Sequence, residues 1–153
     1  MRSKNMRHRV IGIVIKNNKV LLMRRLKNGQ EYYVFPGGGV EENESFEEAL
    51  KREMKEELSI NIENPKLLFE LENQMQDQYG GHMTGYPNEH YFLIENFTGQ
   101  PELGGPEKER TDDKNQYFLE WIEMENTAKI GNMPNLYPRK AVNKLMEFMR
   151  DRK

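Results

Sequence analysis

The chain has no cysteine among its 153 residues. Disulfide scaffolds, zinc ribbons, iron–sulfur clusters and thiol nucleophiles are excluded together. It also lacks any apolar run near the ~20 residues that cross a bilayer. The N-terminal stretch is basic and then apolar, in the manner of a signal peptide. Its apolar part, Val10 to Ile15, is too short for an h-region, and no small-residue cleavage site follows. We therefore read the protein as cytoplasmic. Repeats, low-complexity tracts and linkers are missing too, so residues 1–153 read as a single domain.

Apolar residues make up 36% of the chain and charged residues 31%, against about 25% charged in an ordinary domain. Seven Phe, seven Tyr and one Trp still supply a core. The net charge is only −2, but it is unevenly spread. Residues 1–30 hold nine Lys/Arg and no acid, whereas residues 41–57 hold eight Glu against three basic residues. A solvated helix beside a basic arm is one explanation. A phosphate-binding surface beside a metal site is the other.

Two β-like runs, Arg9 to Ile15 and Val20 to Arg24, flank an Asn17-Asn18 hairpin turn. A short aromatic strand, Tyr32 to Phe35, stops at Pro36 and three glycines. Ser45 and Glu48 form a capping-box pair, and Phe46, Ala49, Leu50, Met54 and Leu58 then recur at helical spacing. Further strands are expected over Pro65 to Leu71, Glu89 to Phe97 and Gln116 to Met124, and a last helix from Pro138 to about Met149. Residues 73–88 and 98–114 read as loops. This order predicts an α+β domain with a mixed sheet between helices.

On a helical wheel, at about 100° per residue, Glu53, Glu56 and Glu57 fall roughly at −20°, −80° and +20° from Phe46. They share the apolar sector, and Glu48, Lys51, Arg52 and Lys55 take the opposite side. Buried unpaired carboxylates are costly or neutralise themselves by binding protons, and three together repel. A divalent cation relieves both problems, and hard oxygen ligands suit Mg²⁺ or Mn²⁺. Glutamates reaching water at a domain edge are the alternative.

From Gly38 to Ile60 the chain reads GGVEENESFEEALKREMKEELSI. With Gly38, Glu44, Arg52-Glu53, Met54, Glu56-Glu57 and Ile60 at its fixed positions, this stretch resembles the Nudix hydrolase signature. That signature runs Gly, five residues, Glu, seven residues, Arg-Glu, an aliphatic, one residue, Glu-Glu, one residue, Gly and an aliphatic. The one departure is Ser59, where the signature has Gly. The resemblance implies a Nudix-like α/β/α sandwich and Mg²⁺- or Mn²⁺-dependent hydrolysis of a nucleoside diphosphate linked to another moiety. An ordinary or oxidised nucleoside triphosphate is the first candidate. It implies that Glu53, Glu56 and Glu57, with the Gly38 backbone, hold the metal. It leaves either Glu57 or Glu53 as the base that activates water, and has Arg52 tie Glu44 to the helix. Gly37 and Gly38 let backbone approach metal and substrate without a Cβ.

Arg24 and Arg25 end the second strand on opposite faces, so at most one can meet substrate phosphate. Glu107 or Glu109 is a candidate for an extra metal ligand or base. Tyr79, Tyr86, Tyr137, His82 and His90 are weaker candidates for substrate contact. The expected partner is a small nucleotide, with no membrane role. Capped RNA is the one nucleic acid that stays open, beside ADP-ribose and dinucleoside polyphosphates. A homodimer also stays open. Isopentenyl-diphosphate isomerases share the fold but rely on a catalytic Cys, which is lacking here. A non-catalytic nucleotide-binding or regulatory module is the other alternative, and such modules usually lose the carboxylates that this chain keeps.

Overall fold

Nine consecutive residues, His8–Lys16, form the strand on which the rest of the molecule is arranged. A computed structural model describes residues 8–72, 88–104, 114–124 and 130–151, without the Tyr137 side chain. The strands are β1 (His8–Lys16), β2 (Lys19–Lys27), β3 (Gln30–Val34), β4 (Gly37–Gly39), β5 (Asn61–Glu63), β6 (Lys66–Leu71), β7 (Asn88–Ile94), β8 (Asn96–Thr98), β9 (Asn115–Glu123) and β10 (Leu136–Tyr137). Among the described residues, the helices with both ends given are α1 (Phe46–Leu58) and α2 (Arg139–Asp151).

β1 is buried on both faces, which explains why it reads as a continuous apolar run and not as an alternation. Asn17 and Asn18 both take positive φ and close a tight hairpin to β2. β2 pairs antiparallel with β9 along its whole length and with β3 over its second half. The start of β1 pairs antiparallel with β4, while its other edge runs parallel to β7. β6 extends the sheet beyond β7, and β10 lies parallel to β3. β5 and β8 form a separate two-stranded ribbon.

Side chains alternate across this mixed sheet into two cores. Val10, Val14, Leu21, Phe92 and Ile94 meet Ala49, Leu50, Met54 and Leu58 of α1. Ile11, Ile13, Ile15, Val20, Leu22, Tyr91 and Leu93 meet Ala141, Val142, Leu145 and Met149 of α2. The result is the mixed sheet between helices that the element order predicts, in the α/β/α sandwich that the resemblance implies. Two details differ. The strand expected over Glu89 to Phe97 breaks at Glu95, which leaves the main sheet for the ribbon. β4 was not expected, because three glycines carry no strand propensity; β1 imposes the pairing. No helix of the described residues is long and apolar enough to cross a membrane.

Candidate metal and catalytic site

The site is built where the turn after β4 feeds α1. The Ser45 Oγ accepts the Glu48 N–H at 3.0 Å, and the Glu48 carboxylate accepts the Ser45 N–H at 2.8 Å. This capping box fixes where α1 begins. Glu44 is held inside the preceding turn, where its Oε1 accepts the Glu41 N–H at 2.9 Å.

Arg52 joins the turn to the helix. Its Nε and Nη2 grip the two oxygens of Glu44 at 2.7 and 3.0 Å. Its Nη1 donates to Glu53 and to Glu56, both at 2.9 Å, and its Nη2 also donates to the Gly39 carbonyl at 2.9 Å. All five guanidinium N–H groups thus have acceptors. The wheel had set Arg52 on the outer side of α1. It marks where the Cβ starts, whereas this long side chain bends back over the turn.

The three expected ligands are not equivalent. Glu57 is 5% exposed. The Glu53 side chain is 17% exposed, but that of Glu56 is 47% exposed. Glu56 therefore lies at the edge of the apolar sector and not within it, which corrects the wheel reading. The Arg52 hydrogen bond draws the Glu44 carboxyl below its ordinary range. Burial pushes Glu53 the other way, above its ordinary range, and its bonds to Arg52 only partly offset this. The Glu44 bond raises the proton affinity of Arg52 in turn. Gly38 lies against Glu53 so closely that a Cβ there would overlap the carboxylate.

Among the described residues, no three carboxylates or imidazoles already converge as a closed ligand shell. The donor set nevertheless fits a divalent cation. It offers hard oxygens on α1, a backbone cradle at Gly38 and a largely buried Glu53 whose desolvation Arg52 only partly offsets. Arg52 now supplies positive charge to Glu53 and Glu56.

Arg24 and Arg25 do point to opposite faces. Arg24 pairs with Glu31 at 3.2 Å and Glu120 at 3.4 Å and lies over Phe118. Arg25 bonds Asn115 at 2.6 Å and lies over Tyr117, and its buried Nε has no hydrogen-bond partner among the described residues. Neither pairs with a box carboxylate. His90 is buried, bonded to His8 at 2.8 Å and to Glu70 at 2.5 Å, and stacked on Phe46. Glu107, Glu109, Tyr79, Tyr86, His82 and the Tyr137 side chain lie outside the described residues. Sequence reasoning missed the Gly39 carbonyl and placed Glu89 only as the start of a strand, yet Glu89 is fully buried and faces Arg9 at 3.7 Å. Its signal was there: Glu89 falls in step with Tyr91 and Leu93, which are core positions.

The model of the NUDIX domain matches residues 6–140. The chain therefore belongs to the NUDIX family, whose hydrolases generally use a divalent metal. An 8-oxo-dGTP diphosphatase of Buchnera aphidicola is 46% identical over 55 residues, covering 35% of this chain and 42% of that protein. An RNA pyrophosphohydrolase of Pasteurella multocida is 39% identical over 59 residues, covering 39% of this chain and 30% of that protein. These matches span less than half the length of the curated relatives. A solved MutT NUDIX hydrolase from Burkholderia pseudomallei is 26% identical with a TM-score of 0.57, over 76% of this chain and 81% of that one.

Proposed function

We propose that this protein hydrolyses a pyrophosphate bond in a nucleoside diphosphate linked to another moiety, with Mg²⁺ as its ion and Mn²⁺ as a substitute. A nucleoside triphosphate, ordinary or oxidised, is the first substrate class. The observation that carries this reading is the Arg52 network, which gathers Glu44, Glu53, Glu56 and the Gly39 carbonyl beside Gly38. Glu53, Glu56 and Glu57, with the Gly38 backbone, are the residues that would hold the ion. When bound, the ion supplies Lewis acidity toward the phosphoryl oxygens and toward water. A carboxylate oxygen of Glu57 or Glu53 takes the proton of the attacking water. Glu44 and Arg52 orient these carboxylates. Of the two strand-end arginines we assign Arg25 to a phosphate oxygen, because Arg24 already pairs with Glu31 and Glu120 whereas Arg25 bonds the neutral Asn115.

The similarity to RNA pyrophosphohydrolases favours a 5′-phosphorylated or capped RNA end as a second substrate class. A panel of nucleoside triphosphates, 8-oxo-dGTP, ADP-ribose, dinucleoside polyphosphates and 5′-triphosphate and capped RNA decides between them. With Mg²⁺ present, wild type should release phosphate or pyrophosphate from one class. Glu57→Gln should lower kcat at least ~100-fold, the scale of a lost acid–base group. Undiminished turnover in this variant, or no turnover of any substrate by wild type, overturns the reading.

A further inference from the structure

Ser59 stands where the signature has Gly, and it carries the left-handed backbone that favours Gly, at φ 61° and ψ 31°. A side chain there is strained. This one makes a specific contact. Its Oγ donates to the Glu102 carbonyl at 3.2 Å. The Glu102 N–H donates in turn to the Leu58 carbonyl at 2.9 Å, and the Gly104 N–H donates to the Glu57 carbonyl at 3.1 Å.

The last carbonyls of a helix have no partner within the helix. Here the strap from Gly99 to Gly104 supplies them from outside. Its glycines are needed for the approach: a Cβ on Gly99 would stand 2.9 Å from the Ser59 carbonyl oxygen, and one on Gly104 2.9 Å from that of Glu56. The strap is thus fastened to the helical turn that carries Glu56 and Glu57. Both backbone groups of Glu102 are engaged, one of them by the Ser59 hydroxyl.

We propose that Ser59 is a positioning residue: its hydroxyl latches the strap onto the end of α1 and so holds Glu56 and Glu57 in place for the divalent ion. The inference rests on the reading of the box carboxylates given above. It assigns a use to the one position at which the chain departs from the signature.

Two substitutions separate the latch from ordinary stability. Ser59→Ala removes the hydroxyl and keeps the backbone strain. Ser59→Gly removes both, so its melting temperature should equal or exceed that of wild type. In metal-free protein, amide hydrogen exchange at Glu102 and Gly104 should be faster in both variants. Mn²⁺ affinity, read by electron paramagnetic resonance, should fall roughly two- to tenfold in both, the equivalent of one hydrogen bond. Turnover should fall through kcat, with KM for the nucleotide unchanged. A residue that served only helix stability would leave Ser59→Gly like wild type in every readout. Wild-type exchange at both amides, or wild-type Mn²⁺ affinity in Ser59→Gly, overturns the latch. Glu57→Gln, measured in parallel, isolates the underlying reading. If it keeps wild-type Mn²⁺ affinity, the box assignment fails. If it loses Mn²⁺ while Ser59→Gly keeps it, only the latch fails.

Discussion

Glu44 and Glu53 share one arginine and are driven in opposite directions by it and by their burial. The Glu44 carboxyl lies below its ordinary range, so its contribution to stability is present at neutral pH and is lost as pH falls through the depressed value. Glu53 lies above the usual 4.5, so its contribution is full below 4.5 and is lost as pH rises through the raised value. Metal-free protein should therefore lose stability because of Glu53 as the pH rises above 4.5 and through the raised value. Glu53→Gln should flatten that loss, and added Mg²⁺ should raise the urea midpoint of wild type but not of the variant. Denaturation curves from about pH 4 to pH 8, with and without Mg²⁺, check this. The sequence showed which carboxylates gather on α1, because spacing alone fixes that. The Arg52–Glu44 tie came only from the resemblance to the signature, and the wheel showed neither it nor that Glu56 stays wet, because a wheel locates Cβ atoms and not the ends of long side chains.

α1 is the element most fully legible in the sequence. Its capping pair, apolar stripe and C-terminal departure at Ser59 are all local signals, and the helix runs from Phe46 to Leu58 as they indicate. Ser45→Ala removes an acceptor for a helix N–H and should cost about 1 kcal/mol of stability. Thermal and urea denaturation measure it. Because the box turn is held to α1 at both Ser45 and Arg52, Mn²⁺ affinity should also weaken in this variant. β4, which carries the glycine cradle, was illegible for the converse reason. Nothing in three glycines specifies a strand. Pairing with Arg9, Val10 and Ile11 of β1 does. β5 and β10, at three and two residues, are likewise products of their partners.

At the scale of the whole molecule, the sheet separates two cores with different duties. The core under α1 includes residues of the glutamate helix, whereas among the described residues the core under α2 includes none of them. Leu50 and Leu145 are both fully buried, one in each core. Leu50→Ala and Leu145→Ala should each cost about 2–5 kcal/mol. The double variant should add to within about 0.5 kcal/mol. At a temperature where all variants remain folded, only Leu50→Ala should also weaken Mn²⁺ binding. Denaturant titration and Mn²⁺ resonance spectra report the two effects. The layered class was readable from the order of elements. The parallel pairing of β1 with β7 was not, since no local signal names a partner so distant in the chain.

That pairing sets the order in which the molecule can mature. His8 finds its neighbour at Asn88, and Val14 at Ile94. Such non-local contacts form slowly. During synthesis the chain emerges from its N-terminus. The glycine cradle and the glutamate helix are both complete in sequence by Leu58, yet the edge of β1 opposite the cradle stays bare until residues 88–94 arrive. The residues proposed to hold the ion are therefore synthesised before the strand that completes the sheet beside them.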